Sequence, residues 1–322
     1  LDPGGADGWQ LADVLAQGVR VGAPPDDFNP LGQDWGLAAW RPDRLAATGY
    51  AAYRDMLRRT LRHAGGLRVD HVAGLWRLWW VPPGGGAAEG TYVRYDAEAM
   101  LGILALEAHR AGAVVVGEDL GTVQPAVTRG LRGRNMLGST VLWFARDDAG
   151  DFVPPARWPR NALATISTHD LPTAPGFLTG EHVRVRDELK LLGTDVAVER
   201  ARAAADRDRL LTMLAAEDLL PEPAAGSESA EPAKTPDDGE VVVAMHAALA
   251  ASPTRLLGVS LYDVLGEVRQ PNMPGTVDEY PNWRLPLPAS VAQIQADPRV
   301  TRIVDLLSAA RPRPADPAPP QR

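Results

Sequence analysis

The 322-residue chain contains no cysteine and no long apolar run, and its charge is acidic rather than basic. Without cysteine, disulfides, thiolate metal sites and cysteine nucleophiles are excluded. No segment approaches the apolar length that is needed to cross a bilayer. The formal net charge of -8 argues against a nucleic-acid partner, which requires a clustered basic face. A neutral polymeric substrate is compatible with this charge, because it needs no electrostatic steering.

The start of the chain shows no secretory signal. Asp2, Asp7 and Asp13 interrupt any continuous apolar core in the first part of the sequence. We therefore expect a soluble, cytoplasmic protein. The chain begins at Leu1 rather than at a methionine, and turn-forming residues follow it, as in the middle of a loop. This start predicts that the sequence begins partway through a longer protein.

Helical and strand patterns alternate along the chain, and glycines often separate them. The spacing of apolar residues predicts helices at 9–17, 43–64, 96–111, 181–219 and 240–251. Short apolar runs predict strands at 66–70, 113–119, 140–144, 162–170 and 255–261, with a doubtful strand at 18–22. Residues 24–40 are rich in turn formers and predict a loop.

The alternation of strands and helices predicts an α/β fold, specifically a (β/α)8 TIM barrel. Continuous β-branched runs such as Val114 to Val116 are typical of parallel strands that are covered on both faces. A doubly wound nucleotide-binding fold would need a glycine-rich phosphate loop after a strand, and the sequence has none. The predicted strands are fewer than a closed barrel requires, so we expect its first strands to be missing from this chain. Residues 221–239 predict a disordered acidic insert and residues 311–322 a disordered proline-rich tail.

Three acidic residues follow three different predicted strands. Asp70, Glu118 and Asp170 each come at the carboxyl end of a strand, and in a barrel these ends surround one mouth. Each acid alone has a plain structural explanation, because an acid often caps the helix that follows a strand. The neighbouring His71 and His169 favour a functional site over three independent caps.

Paired carboxylates are the minimal equipment for breaking a glycosidic bond, since one attacks the anomeric carbon and the other protonates the leaving oxygen. Arg68 is two residues before Asp70 on the same strand, so their side chains point the same way and Arg68 would keep that carboxylate ionised. Glu118, beside Asp119 on an apolar strand, has surroundings that favour the protonated form of a general acid. A third carboxylate can hold hydroxyls of the substrate and stabilise the positive charge of the transition state.

Five ordered segments resemble signature motifs of the 4-α-glucanotransferases, the amylomaltases or disproportionating enzymes of the α-amylase superfamily. These segments are residues 32–36, 67–71, 116–121, 167–170 and 272–276, the last followed by Asn282 and Trp283. The resemblance runs from about Val21 to Trp283, and the sequences around 76–82 and 107–121 are similar to those of actinobacterial members.

The resemblance implies a role for each matching residue. Asp70 would be the nucleophile, Glu118 the general acid/base and Asp170 the stabiliser of the transition state. The matched substrate-binding positions are Arg68, His71, His169, Trp35 and Asn272. The family reaction is retaining, so a glucan would become covalently attached to Asp70 before it is transferred to the 4-hydroxyl of a second α-1,4-glucan. Maltooligosaccharides and other α-1,4-glucans would be the partners, and no metal or organic cofactor is implied.

By this resemblance, residues 1–310 would be the C-terminal portion of a catalytic barrel whose N-terminal part is not matched here. Two other functions stay open. An α-glucan hydrolase of the same superfamily would use the same covalent intermediate with water as the acceptor, and a non-catalytic fragment would only bind glucans. Because an open barrel leaves unpaired strand edges, we expect this chain alone to be poorly stable or inactive and its full-length parent to be active.

Overall fold

The computed structural model describes residues 2–25, 32–121, 123–220 and 237–312 and divides the chain into two compact units, Leu1–Ser139 and Thr140–Arg322. In these described parts no helix combines the length and the apolar character of a membrane span. The predicted insert and tail lie largely outside the described residues. At their edges, Asp238 and Gly239 belong to a helix, and the Arg311 guanidinium donates hydrogen bonds to backbone carbonyls.

The first unit combines a parallel strand pair with an antiparallel sheet. Its strands are β1 (Arg20–Ala23), β2 (Gln33–Leu37), β3 (Gly66–Val69), β4 (Arg77–Val81), β5 (Thr91–Arg94) and β6 (Val114–Gly117). Its helices are α1 (Ala6–Gln10), α2 (Pro42–Ala47), α3 (Ala51–Leu61), α4 (Ala97–Ala111) and α5 (Pro125–Arg132), with 3₁₀ turns at Val72–Leu75 and Ala87–Glu89. Strands β3 and β6 pair in parallel, whereas the other four form an antiparallel sheet in the order β2-β1-β4-β5.

Helices α3 and α4 supply much of the core beside the parallel pair. Leu57 of α3 and Leu101 and Leu104 of α4 are buried in one cluster with Val115 of β6. Burying a leucine side chain contributes about 1.5–3 kcal/mol, so this cluster fixes the strand ends beside it. The bounds of α4 agree with the prediction from sequence. The Asp96 carboxylate accepts the Ala99 N–H at its start, and Gly112 in the left-handed region ends it.

The single helix predicted at 43–64 is two helices, α2 and α3. The chain breaks between them at Gly49 and Tyr50, which both have positive φ angles. The buried residues Leu45, Tyr53 and Leu57 keep a helical spacing across the break. The spacing of apolar residues shows which face of a helix is directed towards the core. A turn that keeps the same face buried on both sides does not change this spacing, so the sequence does not reveal it. Likewise, α1 covers only the start of the predicted helix at 9–17, although Val14 beyond it is buried.

The antiparallel sheet includes segments that the sequence did not predict as strands. Strand β2 lies in the predicted loop 24–40, of which residues 26–31 are outside the described residues, and β4 lies in an aromatic run. The doubtful strand at 18–22 is β1, one or two residues further along. Trp79 of β4 is opposite Tyr92 of β5, with ring centroids 5.0 Å apart. All of β4 except Val81 is half-buried, so it lacks the alternation that marks a strand in sequence.

The second unit is mainly helical. Its strands are β7 (Gly138–Val141, which starts at the boundary of the units), β8 (Ala162–Thr165) and β9 (Leu256–Leu257), in the sheet order β7-β8-β9. Its helices are α6 (Ala174–Thr179), α7 (Glu181–Glu188), α8 (Val196–Ala216), α9 (Asp238–Ala251), α10 (Leu261–Leu265), α11 (Val291–Ala296) and α12 (Pro298–Ala310), with 3₁₀ turns at Leu142–Phe144 and Pro155–Arg157. Strands β8 and β9 are parallel, as predicted for successive βα units.

The strands of this unit are shorter than their apolar runs. Strand β7 ends at Val141, and the predicted strand residues Leu142 and Trp143 form a buried 3₁₀ turn instead. Strand β9 has two residues, and Leu261 at the end of the predicted strand begins α10. Hydrophobicity therefore predicted burial correctly at residues 142 and 143. Where each strand ends was decided by its hydrogen bonds to the neighbouring strand.

Candidate active site

Asp70 and Arg68 form an ion pair at the carboxyl end of β3. Arg68 is on the strand and Asp70 directly follows it, and the distance between the Arg68 guanidinium and the Asp70 carboxylate is 2.5 Å. The Asp70 side chain is 76% exposed, so its carboxylate is open to an incoming group. This is the pairing that the two-residue spacing predicted.

Glu118 follows β6 and is held by the backbone of the neighbouring strand end. Its Oε2 accepts the N–H of His71 and its Oε1 accepts the N–H of Leu120, both at 2.8 Å. Its own N–H donates to the carbonyl of Val69, and its carbonyl accepts the N–H of Val72. Hydrogen bonding therefore continues past the ends of β3 and β6, and it places the segment that carries Asp70 next to Glu118.

Asp119 has partners of its own. Its carboxylate accepts the N–H of Ser139 at 2.8 Å, and burial raises its pKa. Successive side chains of an extended segment point to opposite sides, which explains why Glu118 and Asp119 have separate hydrogen-bond partners. The structure thus places two backbone N–H donors on the Glu118 carboxylate, in addition to the apolar strand and the neighbouring acid that the sequence showed.

His71 lies in a tight turn and contacts Trp35. The histidine has a φ of 43°, a left-handed conformation that is uncommon outside glycine. Its ring meets the Trp35 ring edge-on, with centroids 5.3 Å apart, and Trp35 is on β2. Burial lowers the pKa of His71, so its imidazole is neutral at pH 7 and acts as a hydrogen-bonding group. The structure thus brings five predicted residues together in the first unit, namely Trp35, Arg68, Asp70, His71 and Glu118.

The remaining predicted residues are together in the second unit. Asp170 and His169 follow β8, and the His169 Nε2 is 3.1 Å from the Asp170 carboxylate. The Asn272 side-chain amide donates to Asp170 Oδ1 at 2.6 Å, and the Asn272 N–H donates to the carbonyl of His169 at 3.0 Å. Asn272 is more than 100 residues from Asp170 in sequence, so only folding makes this contact.

Two residues of this cluster were not selected from the sequence. The Gln270 side-chain amide donates to the carbonyls of Asp170 and Asn272, and Gln270 is buried. The Trp283 ring lies 4.9 Å from the His169 ring and is 67% exposed. Trp283 belongs to a segment that the resemblance had marked, whereas Gln270 precedes that segment and only its burial and contacts identify it.

A cavity of about 280 Å³ borders this cluster. Thr168, His169, Tyr262, Asp263 and Trp283 are among its lining residues. Asp263 is almost fully buried and accepts the N–H of Ala174 at 2.7 Å, and burial raises its pKa to about 7. In the described parts of the chain, no group of three or more histidine, aspartate and glutamate side chains is arranged to hold a metal ion.

Sequence and structure comparisons assign the chain to a known family. A sequence model described as 4-alpha-glucanotransferase matches residues 1–291. The chain belongs to the 4-alpha-glucanotransferase family. It is 49% identical to the 4-alpha-glucanotransferase of Mycobacterium tuberculosis, over 98% of this chain and 43% of the relative. It is 37% identical to the 4-alpha-glucanotransferase of Haemophilus influenzae, over 87% of this chain and 40% of the relative.

Two amylomaltase structures share the fold of this family member. The crystal structure of the Corynebacterium glutamicum amylomaltase matches 95% of this chain and 44% of its own chain, with a TM-score of 0.88 and 41% identity. The Streptococcus agalactiae amylomaltase in complex with acarbose matches with a TM-score of 0.68, over 94% of this chain and 54% of its own, and at 17% identity it supports the fold alone. These matches confirm the predicted α/β barrel fold class. The chain spans less than half the length of the two sequence relatives.

Proposed function

We propose that this chain carries the catalytic acids of a retaining 4-α-glucanotransferase, with Asp70 as the nucleophile and Glu118 as the general acid/base. The observation that carries the proposal is the hydrogen bond from the His71 N–H to Glu118, because it fixes one carboxylate beside the strand end that presents the other. Membership of the 4-alpha-glucanotransferase family supports an α-1,4-glucan as the substrate class.

The proposed reaction has two steps at the anomeric carbon. In the first, an oxygen of Asp70 attacks this carbon while Glu118 gives its proton to the departing glycosidic oxygen, which leaves a glucosyl ester on Asp70. In the second, Glu118 takes the proton of the acceptor's 4-hydroxyl, and the acceptor oxygen displaces Asp70. Two inversions retain the α configuration. The same intermediate attacked by water would give hydrolysis.

Neighbouring residues suit these roles. Arg68 holds its positive charge against the Asp70 carboxylate, the group that would attack the anomeric carbon. His71 and Trp35 present a neutral imidazole and an indole that can contact a sugar ring by hydrogen bonding and stacking. Glu118 accepts hydrogen bonds from two backbone N–H groups, which hold its carboxylate in place for proton transfer.

Asp170 is proposed to stabilise the positive charge of the oxocarbenium-like transition state. Its carboxylate is held by His169 and by the Asn272 amide, which donates a hydrogen bond and adds no charge. His169 and Asn272 would also contact sugar hydroxyls.

The experiment is an incubation with maltotriose, followed by chromatography of the products. It uses the 322-residue chain and, in parallel, a chimera in which this chain replaces the matching segment of the Mycobacterium tuberculosis relative. Transfer predicts glucose together with a ladder of longer maltodextrins. Asp70→Asn should remove the ladder, with a loss of at least about 1,000-fold, because the amide cannot form the ester.

Asp43→Asn is the matched control, since Asp43 is an exposed carboxylate also paired with an arginine, Arg41. It should retain the ladder. Maltose and glucose without longer products would establish hydrolysis in place of transfer. If the chimera that carries Asp70→Asn were as active as the unsubstituted chimera, the proposed role of Asp70 would be contradicted.

A further inference from the structure

We propose that Gln270 is a positioning residue for Asp170, acting through the orientation of Asn272. The inference rests on the proposed role of Asp170. Gln270 acts through the backbone, because its side-chain amide donates to two carbonyl oxygens. It bridges the backbones of the two residues whose side chains meet, and this bridge sets the contact between the Asn272 amide and the Asp170 carboxylate.

The bridge consists of two hydrogen bonds from one nitrogen. Gln270 Nε2 donates to the carbonyl of Asp170 at 3.1 Å and to the carbonyl of Asn272 at 2.7 Å. A side-chain amide is suited to this task, because its NH₂ group offers two hydrogens in one plane and carries no charge. Gln270 is 6% exposed, so water does not compete freely for either carbonyl.

Gln270 is itself held from the other side. The Tyr280 hydroxyl donates to the carbonyl of Gln270 at 2.7 Å, and Tyr280 is buried in a cluster with Val185, Met273 and Leu285. The backbone that carries the glutamine is thus fixed to a small apolar core. Movement of the amide relative to Asp170 is restricted as a result.

Three hydrogen bonds join the segment that contains Gln270 and Asn272 to the end of the βα unit that carries Asp170. They are the Asn272 N–H to the His169 carbonyl, the Gln270 amide to the Asp170 carbonyl, and the Asn272 amide to the Asp170 carboxylate. Only the last involves a proposed catalytic group. The other two fix the backbone position of Asn272. They therefore determine whether the Asn272 amide can reach Asp170 Oδ1, which lies 2.6 Å away.

The test uses two near-isosteric variants of Gln270, assayed with maltotriose in the chain and in the chimera. Gln270→Met removes both donors without adding charge. We expect its kcat to fall about 10- to 100-fold at every pH while KM changes less than threefold, because misplacement of a group that acts in the transition state costs rate rather than binding. Gln270→Glu removes both donors while it is ionised and restores one O–H donor when it is protonated. Its activity relative to the unchanged protein should be low at pH 8 and should rise in part as the pH is lowered to 5.

The ratio to the unchanged protein cancels the titration of groups that both proteins share. Those beside position 270 are Asp170, His169 and Tyr280, with the ion pair of Arg269 and Glu267 next along the chain. Normal kcat in Gln270→Met with low kcat in Gln270→Glu would show an effect of charge alone, and it would overturn the inference.

A second measurement needs no activity. Hydrogen exchange at the Asn272 N–H, which is bonded to His169, should become at least about tenfold faster in Gln270→Met. The Ala174 N–H, bonded to Asp263, is the control and should be unchanged. Exchange within twofold at Asn272 would overturn the inference. Full activity of Asp170→Asn would instead contradict the proposed role of Asp170, so the two failures are distinguishable.

Discussion

Glu118 and Asp170 both follow a parallel strand, yet different kinds of group hold them. Backbone N–H groups of the adjoining turn and of the residue two positions on bind Glu118. The partners of Asp170 include the side chain of Asn272, from a segment about 100 residues away. Backbone donors follow from strand pairing itself, whereas side-chain donors depend on how a distant loop packs. We therefore expect the Glu118 segment to tolerate changes in its neighbours better than the Asp170 segment does.

A second contrast lies in two buried carboxylates outside the proposed chemistry. Glu107 of α4 is bonded to the guanidinium groups of Arg58 and Arg110, and the pairing with Arg58 is the main reason that its pKa is lowered. Asp263 of α10 has a backbone N–H as its partner, and burial raises its pKa to about 7. The buried acid that is paired with a cation should stabilise the fold more as the pH rises, whereas the buried acid that is bonded to a backbone N–H should destabilise it more.

Among the substitutions considered next, we expect Glu118→Gln to reduce activity most. Glu118→Gln keeps the shape of the side chain but removes the proton that the proposed mechanism transfers. Transfer from maltotriose should fall about 100- to 10,000-fold, the range typical of a lost general acid/base. Asp119→Asn is the control, since that acid is bonded to Ser139, and it should stay within about threefold. Equal losses in both variants would contradict the division of labour between the two acids.

Asp263 tests the second contrast through stability. Its folded pKa lies above the unfolded value of 3.8, so the folded state disfavours the charged form and stability falls as pH rises from about 4 to about 7. Asp263→Asn keeps an oxygen for the Ala174 N–H and cannot ionise. It should be more stable than the unchanged chain by up to about 4 kcal/mol at pH 8, with little gain at pH 4. Urea unfolding at both pH values measures this, and a pH-independent difference would contradict the account.

Glu107 should show the opposite sign and a smaller effect. Its folded pKa lies below the unfolded value of 4.5, so its stabilising pairs are present above about pH 5 and are lost as pH falls through the folded pKa. Glu107→Gln should cost about 1 kcal/mol at pH 7, because Arg58 and Arg110 are half exposed and water screens their charge. The difference should shrink as the pH falls below 4.5. Urea unfolding is again the measurement, with the exposed Glu98→Gln as the control.

Strand ends were the part of the candidate site that sequence could locate. The apolar runs before Asp70, Glu118 and Asp170 predicted β3, β6 and β8, and each acid follows its strand in the structure. The strand β4 was missed because its residues are nearly all half-buried and do not alternate. The break at Gly49 was missed because the apolar spacing continues across it.

By itself, the sequence determined the family, the alternation of strands and helices, and the pair of Arg68 and Asp70, because each can be read from short local motifs. Tertiary structure decided which groups hold Glu118 and Asp170. It also gave Gln270 its place in the network, since a single amide has no pattern in sequence and acts only through the two backbone carbonyls that folding brings to it.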